Sequence, residues 1–319
     1  MKSKPIYFEV QGFESVIGSK LLNRVMPRVF NKCMSQMPNV LVCGPSSWNQ
    51  LVELDRLPDP RPQQLSARNE WYTVGGTSAG KALHLSSLGV ATTLCTPLAN
   101  DEPGRLLRHV LGGVGVNLQA ISSVSTERHI NLMAGGQRVS IYLATPSAVE
   151  DADADALCAA IGEADLAVID LSELGLRIIR QLAEPPVPLW VDLHDFDGTA
   201  QFHLPFLRAA SVVFMNDDAT SDPWELMATC LRHGPEMAIC TRGARGAVAM
   251  NRQGRRWEVA ARKVEVIDSN GAGDAFMAGF LAAYQRGSSV QAALEVAAGA
   301  AAVALSSRHL HPDLARLLS

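Results

Sequence analysis

The chain has 319 residues, 47% hydrophobic, 19% charged and 6% aromatic, with a formal net charge of −4 from 28 basic and 32 acidic residues. That profile carries enough apolar material for one large packed unit and excludes a disordered, fibrous or strongly basic protein. No basic run or basic–aromatic stripe appears, so neither a nucleic acid nor a membrane surface is expected as a partner, and the longest apolar stretches, about ten residues, fall short of the roughly 20 a membrane helix needs.

Residues 1–37 read as an N-terminal extension of unknown role, carrying several Lys and Arg and a helical stretch near Ser15–Cys33, without the apolar core of a signal peptide. The six cysteines are scattered with no CxxC pair, which reads as free thiols and a cytoplasmic chain. Regular structure is expected to begin at Asn39–Gly44, a short apolar run closed by Gly-Pro that suits a buried parallel strand. Similar runs recur at Leu166–Asp170, Leu189–Asp192, Ser211–Met215 and Met237–Thr241, each separated by room for a crossover helix. That rhythm predicts βαβ units and an α/β fold with a mostly parallel sheet. Two stretches differ: Leu65–Val74, and Arg128–Met133 with Arg138–Ala144, where Val139, Ile141 and Leu143 alternate around Gly135-Gly136 as in a hairpin. They predict a small second sheet, with strands within about 46–75 and 124–145.

Most of the chemistry is concentrated in Asp268-Ser269-Asn270-Gly271-Ala272-Gly273-Asp274, a loop feeding the apolar helix that starts at Ala275. Small residues at a helix N-terminus leave backbone N–H groups uncovered, and those donors together with the helix dipole favour an anion such as a phosphate. Asp274 follows in the first turn, either as a cap or as a base for a hydroxyl attacking a phosphoryl group.

This segment closely resembles the C-terminal signature of the ribokinase-like (PfkB) sugar kinases. The resemblance extends to Thr241-Arg242-Gly243-Ala244-Arg245-Gly246, similar to that family's nucleotide loop, to Gly75-Gly76-Thr77-Ser78-Ala79-Gly80-Lys81-Ala82, similar to its N-terminal double-glycine signature, and to Asn100-Asp101-Glu102-Pro103-Gly104. It implies a three-layer α/β/α Rossmann-like ribokinase fold over 38–319, with a small β-sheet lid whose exposed edge offers a homodimer contact. It also implies ATP and Mg²⁺, with Asp274 as base and Gly271, Ala272 and Gly273 holding the transferring phosphoryl group. Asn216, Thr241, Gly243 and Gly246 would line the ATP site, Asn49, Gly75, Gly76 and Lys81 the substrate site, and Asp268 a K⁺ site. The implied reaction transfers the γ-phosphate of ATP to a hydroxyl of a small sugar. A nucleoside kinase with Trp48 stacking on a base and a non-catalytic sugar or nucleotide sensor are the alternatives.

Four departures stand out. Gly80 occupies a position where relatives commonly have Asn, so Lys81 is expected to supply the missing contact to substrate. Asn49 stands where a carboxylate usually grips two sugar hydroxyls, which would select a ligand offering an acceptor. Asn216-Asp217-Asp218-Ala219 lacks the glutamate of the family's N-x-x-E. Gly75–Lys81 also imitates a P-loop, but Ala82 lacks the hydroxyl that would ligate Mg²⁺. Asp192-Leu193-His194-Asp195 has metal-binding residue types, yet strand alternation separates them.

Overall fold

A computed structural model describes residues 38–318. The N-terminal extension and its expected helix lie outside them. Every apolar run named above forms a strand: β1 (Asn39–Cys43), β8 (Leu166–Ile169), β9 (Leu189–Asp192), β10 (Val212–Asn216) and β11 (Met237–Thr241). With β4 (Ala91–Leu98), β5 (Asn117–Ser122), β12 (Ala247–Asn251) and β13 (Arg256–Val259) they make a nine-stranded sheet in the order β13-β12-β11-β10-β9-β8-β1-β4-β5. Only the β11–β12 and β12–β13 pairs are antiparallel.

Strand alternation divides the apolar side chains between two faces. Val40, Val42, Trp190 and Ile239 pack with α1 (Thr77–Ser87), α2 (Glu102–Gly113), α7 (Ala272–Gln285) and α8 (Val290–Leu305). Leu41, Cys43, Val191 and Val213 pack with α3 (Asp151–Glu163), α4 (Glu173–Leu182), α5 (Leu204–Ala209) and α6 (Pro223–Arg232). The result is a three-layer α/β/α unit. Helix α7 is buried along nearly its whole length, and α8 comes so close that a Cβ at Gly279 would meet the Ala300 Cβ at 2.8 Å. Alanine and glycine are what allow this contact.

A second sheet is built from β2 (Ser47–Glu53), β3 (Asn69–Gly75), β6 (Glu127–Ala134) and β7 (Gln137–Ala144), in the order β3-β2-β6-β7. The expected hairpin is β6–β7, paired from Ala134↔Gln137 outward. Strand β3 begins four residues later than the apolar pattern of 65–74 suggested, because Leu65–Arg68 stay in an exposed loop. The chain enters this sheet beyond Gly44 and again beyond Ser125. At the second crossing Asp101, the N-cap of α2, accepts hydrogen bonds from the Gly104 N–H (2.9 Å), the Thr126 hydroxyl (2.7 Å) and the Thr126 N–H (3.0 Å). The D-x-x-G segment therefore ties helix α2 to the start of the small sheet. Burial raises the Asp101 pKa, but the donated bonds outweigh it and hold the carboxyl below its ordinary range.

Candidate active site

The order of the large sheet reverses direction at β1, flanked by β8 and β4, and ligands of open α/β sheets bind at the carboxyl ends of strands at such a point. Asp170 follows β8, Asp192 ends β9, Gly44 follows β1, and Asp274 stands in the first turn of α7. All three carboxylates converge on Lys81 of α1. Its Nζ donates to Asp274 Oδ1 at 2.6 Å and lies 3.0 Å from Asp170 Oδ1 and 3.4 Å from Asp192 Oδ2. The Asp170 contact is an ion pair outside hydrogen-bond alignment, since that oxygen is otherwise unpartnered; Asp170 Oδ2 accepts from Ser78 (2.6 Å) and Thr77 (3.0 Å).

Lys81 is only 1% exposed. The structure thus corrects the substrate-facing place expected of it: its ammonium is spent on the carboxylates and does not replace the Asn missing at Gly80. Burial alone would lower the lysine's pKa, but Asp170, Asp274 and Asp192 more than offset it and hold the amine well above its ordinary value. Asp274 moves the other way. Burial, Asp170 and Asp192 push its pKa up to about 6 against the lowering pull of Lys81. Burial also pushes Asp192 up, yet His194 and Lys81 outweigh it and leave that carboxyl below its usual range. His194 holds a left-handed φ of 51° while its N–H donates to Asp192 Oδ1 at 3.0 Å, a strained backbone used to fix a buried carboxylate.

Asp274 Oδ1 is anchored, whereas Oδ2 takes no hydrogen bond among the described residues. Gly80 accounts for the room beside Oδ2, because a Cβ there would come within 2.9 Å of it. The loss of Asn at this position is therefore a packing requirement of the Lys81–Asp274 pair. Gly271 precedes α7 with φ 74°, and Gly273 has nothing within 4 Å of where a Cβ would stand. The Ala275 N–H returns to Gly271 O at 2.9 Å and the Ala272 N–H reaches Ser269 O only at 3.5 Å, so the first turn keeps donors for an anion.

The nucleotide-side residues also come together. Asn216 and Thr241 are cross-strand partners at the carboxyl ends of β10 and β11. The following turn uses positive φ at Gly243 (53°) and Gly246 (85°), and a Cβ at Gly246 would strike Val259 O at 2.0 Å. Asp217 is turned onto Arg245, which leaves the exposed Asp218 as the free carboxylate of this segment. Asp268 accepts from the Asn270 N–H (3.0 Å) and Nδ2 (3.1 Å), tethering its own loop.

On the substrate side, Asn49 and Ser47 lie on one face of β2, and both Asn49 Oδ1 and Ser47 Oγ are buried without a partner. An unmet buried polar atom costs about 1–3 kcal/mol, so two side by side mark a place for ligand groups. A Cβ at Gly75 would fall 2.0 Å from Asn49 Nδ2, which is why the double glycine is needed. The orphan atom is the amide oxygen, which a hydroxyl donor would complement, while the Asn49 Nδ2 makes no hydrogen bond among the described residues and remains a donor toward an acceptor. Trp48 sits on the opposite face, stacked with Tyr72 at 6.3 Å and packed on the core, and offers no platform beside Asn49 for a nucleoside base. The P-loop imitation ends in β3 and α1, with its lysine on carboxylates. Sequence reasoning missed Ser47, Asp170 and Asp192 as site residues. For Asp170 and Asp192 the signal available was their position just beyond or at the end of strands on the carboxyl edge; Ser47 opens a strand of the small sheet and gave no such signal.

A model of the pfkB family carbohydrate kinases matches residues 39–314. Acarbose 7(IV)-phosphotransferase of Actinoplanes sp. is 30% identical over 278 residues, covering 85% of this chain and 93% of that protein. Ribokinase of Arabidopsis thaliana is 24% identical over 305 residues, covering 87% and 78%. Among solved structures, a microbiome-derived acarbose kinase superposes with a TM-score of 0.76 at 25% identity, over 88% of this chain and 99% of that one. Arabidopsis ribokinase complexed with ribose and ATP gives 0.73 at 21% identity, over 89% and 99%.

Proposed function

The chain belongs to the pfkB family of carbohydrate kinases, ATP-dependent phosphotransferases acting on sugar hydroxyls, and from that premise we propose that Asp274 is the general base, steadied by Lys81. The observation that carries this reading is the asymmetry of the carboxylate: Oδ1 fixed by a buried ammonium at 2.6 Å, Oδ2 unengaged beside Gly80. A sugar hydroxyl held by Ser47 and Asn49 gives its proton to Oδ2 as its oxygen forms the new bond to the γ-phosphorus and the bond to ADP breaks. The N–H groups of Gly271, Ala272 and Gly273 take up the charge on the phosphoryl oxygens. Asn216, Thr241, Gly243 and Gly246 hold the nucleotide.

Mg²⁺, when bound, neutralises phosphate charge. The ion would be carried mainly on the phosphates, with the exposed carboxylate of Asp218 available to its water shell. A K⁺ site at Asp268 rests on the family likeness; turnover compared in K⁺ and Na⁺ tests it.

Asp274 must be ionised to act, so kcat/KM should rise with pH through an apparent pKa near the value of about 6 to which burial and its two acidic neighbours push it. The check is ADP release with sugars from pH 4.5 to 9. A rate independent of pH across 5 to 7, with chemistry limiting, would remove Asp274 from the proton transfer.

A further inference from the structure

Between the end of α8 and Pro312 the chain runs through Ser307, Arg308, His309, Leu310 and His311 without helix or strand, yet Ser307, His309, Leu310 and His311 are all buried. Irregular segments normally lie on the surface, because inside the protein their backbone and side-chain polar groups need partners. Here the partners come from three separate parts of the site.

The first is β3, the outer strand of the small sheet. His309 Nδ1 is hydrogen-bonded to the Thr73 hydroxyl at 2.8 Å, and the His309 N–H donates to Ser307 Oγ at 3.1 Å. Burial and Arg308 hold the His309 pKa below its ordinary value against the raising pull of Asp268, so the ring is neutral at neutral pH and satisfies a hydroxyl in either tautomer. Two residues earlier on β3, Trp71 Nε1 donates to Arg308 O at 3.3 Å, with the Arg308 guanidinium 5.5 Å over the indole. The second part is α1: His84, one turn beyond Lys81, donates from Nε2 to Leu310 O at 2.8 Å and meets the His311 ring with centroids 4.8 Å apart. The third is the phosphoryl loop, where Leu310 lies so close to Gly271 that a Cβ there would fall 2.8 Å from the Leu310 Cδ2.

Thr73 matters because it is the cross-strand partner of Asn49. Opposed residues of an antiparallel pair hold their Cβ atoms about 4.5–5.5 Å apart on one face, which makes the Thr73 side chain a neighbour of the Asn49 amide. That amide is buried, and its oxygen has no partner to fix it, so its orientation rests on packing against Gly75 and Thr73. Thr73 is β-branched, and rotation about χ1 exchanges its hydroxyl and methyl; the bond to His309 selects one arrangement of the two.

We propose that His309 is a positioning residue for the acceptor: through Thr73 it sets the Asn49 amide, and through the adjoining Leu310 the same segment fixes the spacing between that amide and the phosphoryl loop. The proposal rests on Asn49 as an acceptor ligand, as read above. Its test is steady-state ADP release by the full chain with whichever of ribose, fructose, glucose and maltose the wild type phosphorylates fastest, with urea unfolding alongside. His309→Leu should raise the sugar KM about three- to tenfold while kcat and the ATP KM stay within about twofold. His309→Asn, whose amide reaches the place of Nδ1, should recover most of that loss. Thr73→Val, nearly isosteric, should raise KM as His309→Leu does, and the double variant should do no more than either alone, because both cut the same contact. A sugar KM unmoved in folded His309→Leu and Thr73→Val, rises that add in the double variant, or no recovery in His309→Asn would overturn the proposal and leave His309 a packing residue. Thr73→Val decides alone if His309→Leu does not fold. The acceptor reading fails separately, if Asn49→Ala leaves the sugar KM unchanged.

Discussion

The two halves of the site are built from different materials. The phosphoryl side is mostly backbone: a glycine at φ 74°, free N–H groups and one carboxylate within four consecutive residues, Gly271 to Asp274. The proposed acceptor side is side chains gathered from far apart: Ser47 and Asn49 on the small sheet, and Asp274 held by Lys81, which also pairs with Asp170 and Asp192 at strand ends of the large one. A phosphoryl group is the same in every reaction of this kind, so a short motif can serve it unchanged. An acceptor varies, and of the positions proposed to face it Asn49 and Gly80 depart from the family pattern while the loop opposite is kept.

The sharpest way to break this division is at the one residue both halves share. Asp274→Asn keeps the shape and removes the base, and turnover should fall by about 10² to 10⁴ with little change in ATP affinity. ADP-release kinetics and a nucleotide titration measure both; near-wild-type turnover would mean that the loop binds phosphate and the proton leaves another way.

Lys81→Met tests whether the buried charge cluster supports the base. Removing one partner of a buried charge cluster typically costs about 3–5 kcal/mol, so a clear loss of denaturant stability is expected. A merely structural role predicts no more than that. A positioning role predicts in addition that the acid limb of kcat/KM moves upward, because Lys81 lowers the Asp274 pKa. An unchanged limb in a folded variant would reduce Lys81 to packing.

How much of this was legible in the sequence follows the same division. The geometry of the Gly-Ala-Gly-Asp loop could be read because it is local: four neighbouring residues and the start of an apolar helix are enough. The parallel strands were visible as apolar runs, being buried on both faces. Strand β2 was not resolved as such, since Ser47, Asn49 and Gln50 give it a polar, loop-like composition, and the burial of Ser47 and Asn49 comes with their cross-strand neighbours, Gly75 and Glu127 for the first, Thr73 and His129 for the second. The Lys81 cluster joins positions 81, 170, 192 and 274, which only the order of the strands brings together. Read alone, Asp170 is the polar end of a strand and Asp192 half of a weak metal pattern. Lys81 looked like a substrate ligand because nothing nearby in sequence shows that three carboxylates surround it.

Asn49→Ala acts on the acceptor side alone. It removes a buried acceptor worth about 1–3 kcal/mol when paired with ligand, so kcat/KM for the sugar should fall roughly ten- to a hundredfold while ATP affinity holds. Asn49→Asp sharpens the point: a carboxylate also accepts, so sugars that donate a hydroxyl should remain substrates, and selective loss of all sugars would show that the amide N–H had been the contact.

The smallest effect expected is also the most discriminating. Asp192 is 6% exposed, touches no part of the Gly-Ala-Gly loop in the hydrogen bonds described, and reaches Asp274 only through its charge and the shared Lys81. Asp192→Asn keeps the volume and the acceptor for the His194 N–H but deletes one negative charge. Asp274 is raised partly by that charge, so its pKa should fall and the acid limb of kcat/KM should shift to lower pH. Lys81, left with two carboxylates, would lean more fully on Asp274, which moves the limb in the same direction. Activity at pH 8, where the base is ionised in both proteins, should change little; at pH 5 the variant should be the faster enzyme. An upward shift would mean that Asp192 acts by holding Lys81 in place, and that geometry outweighs charge in this cluster.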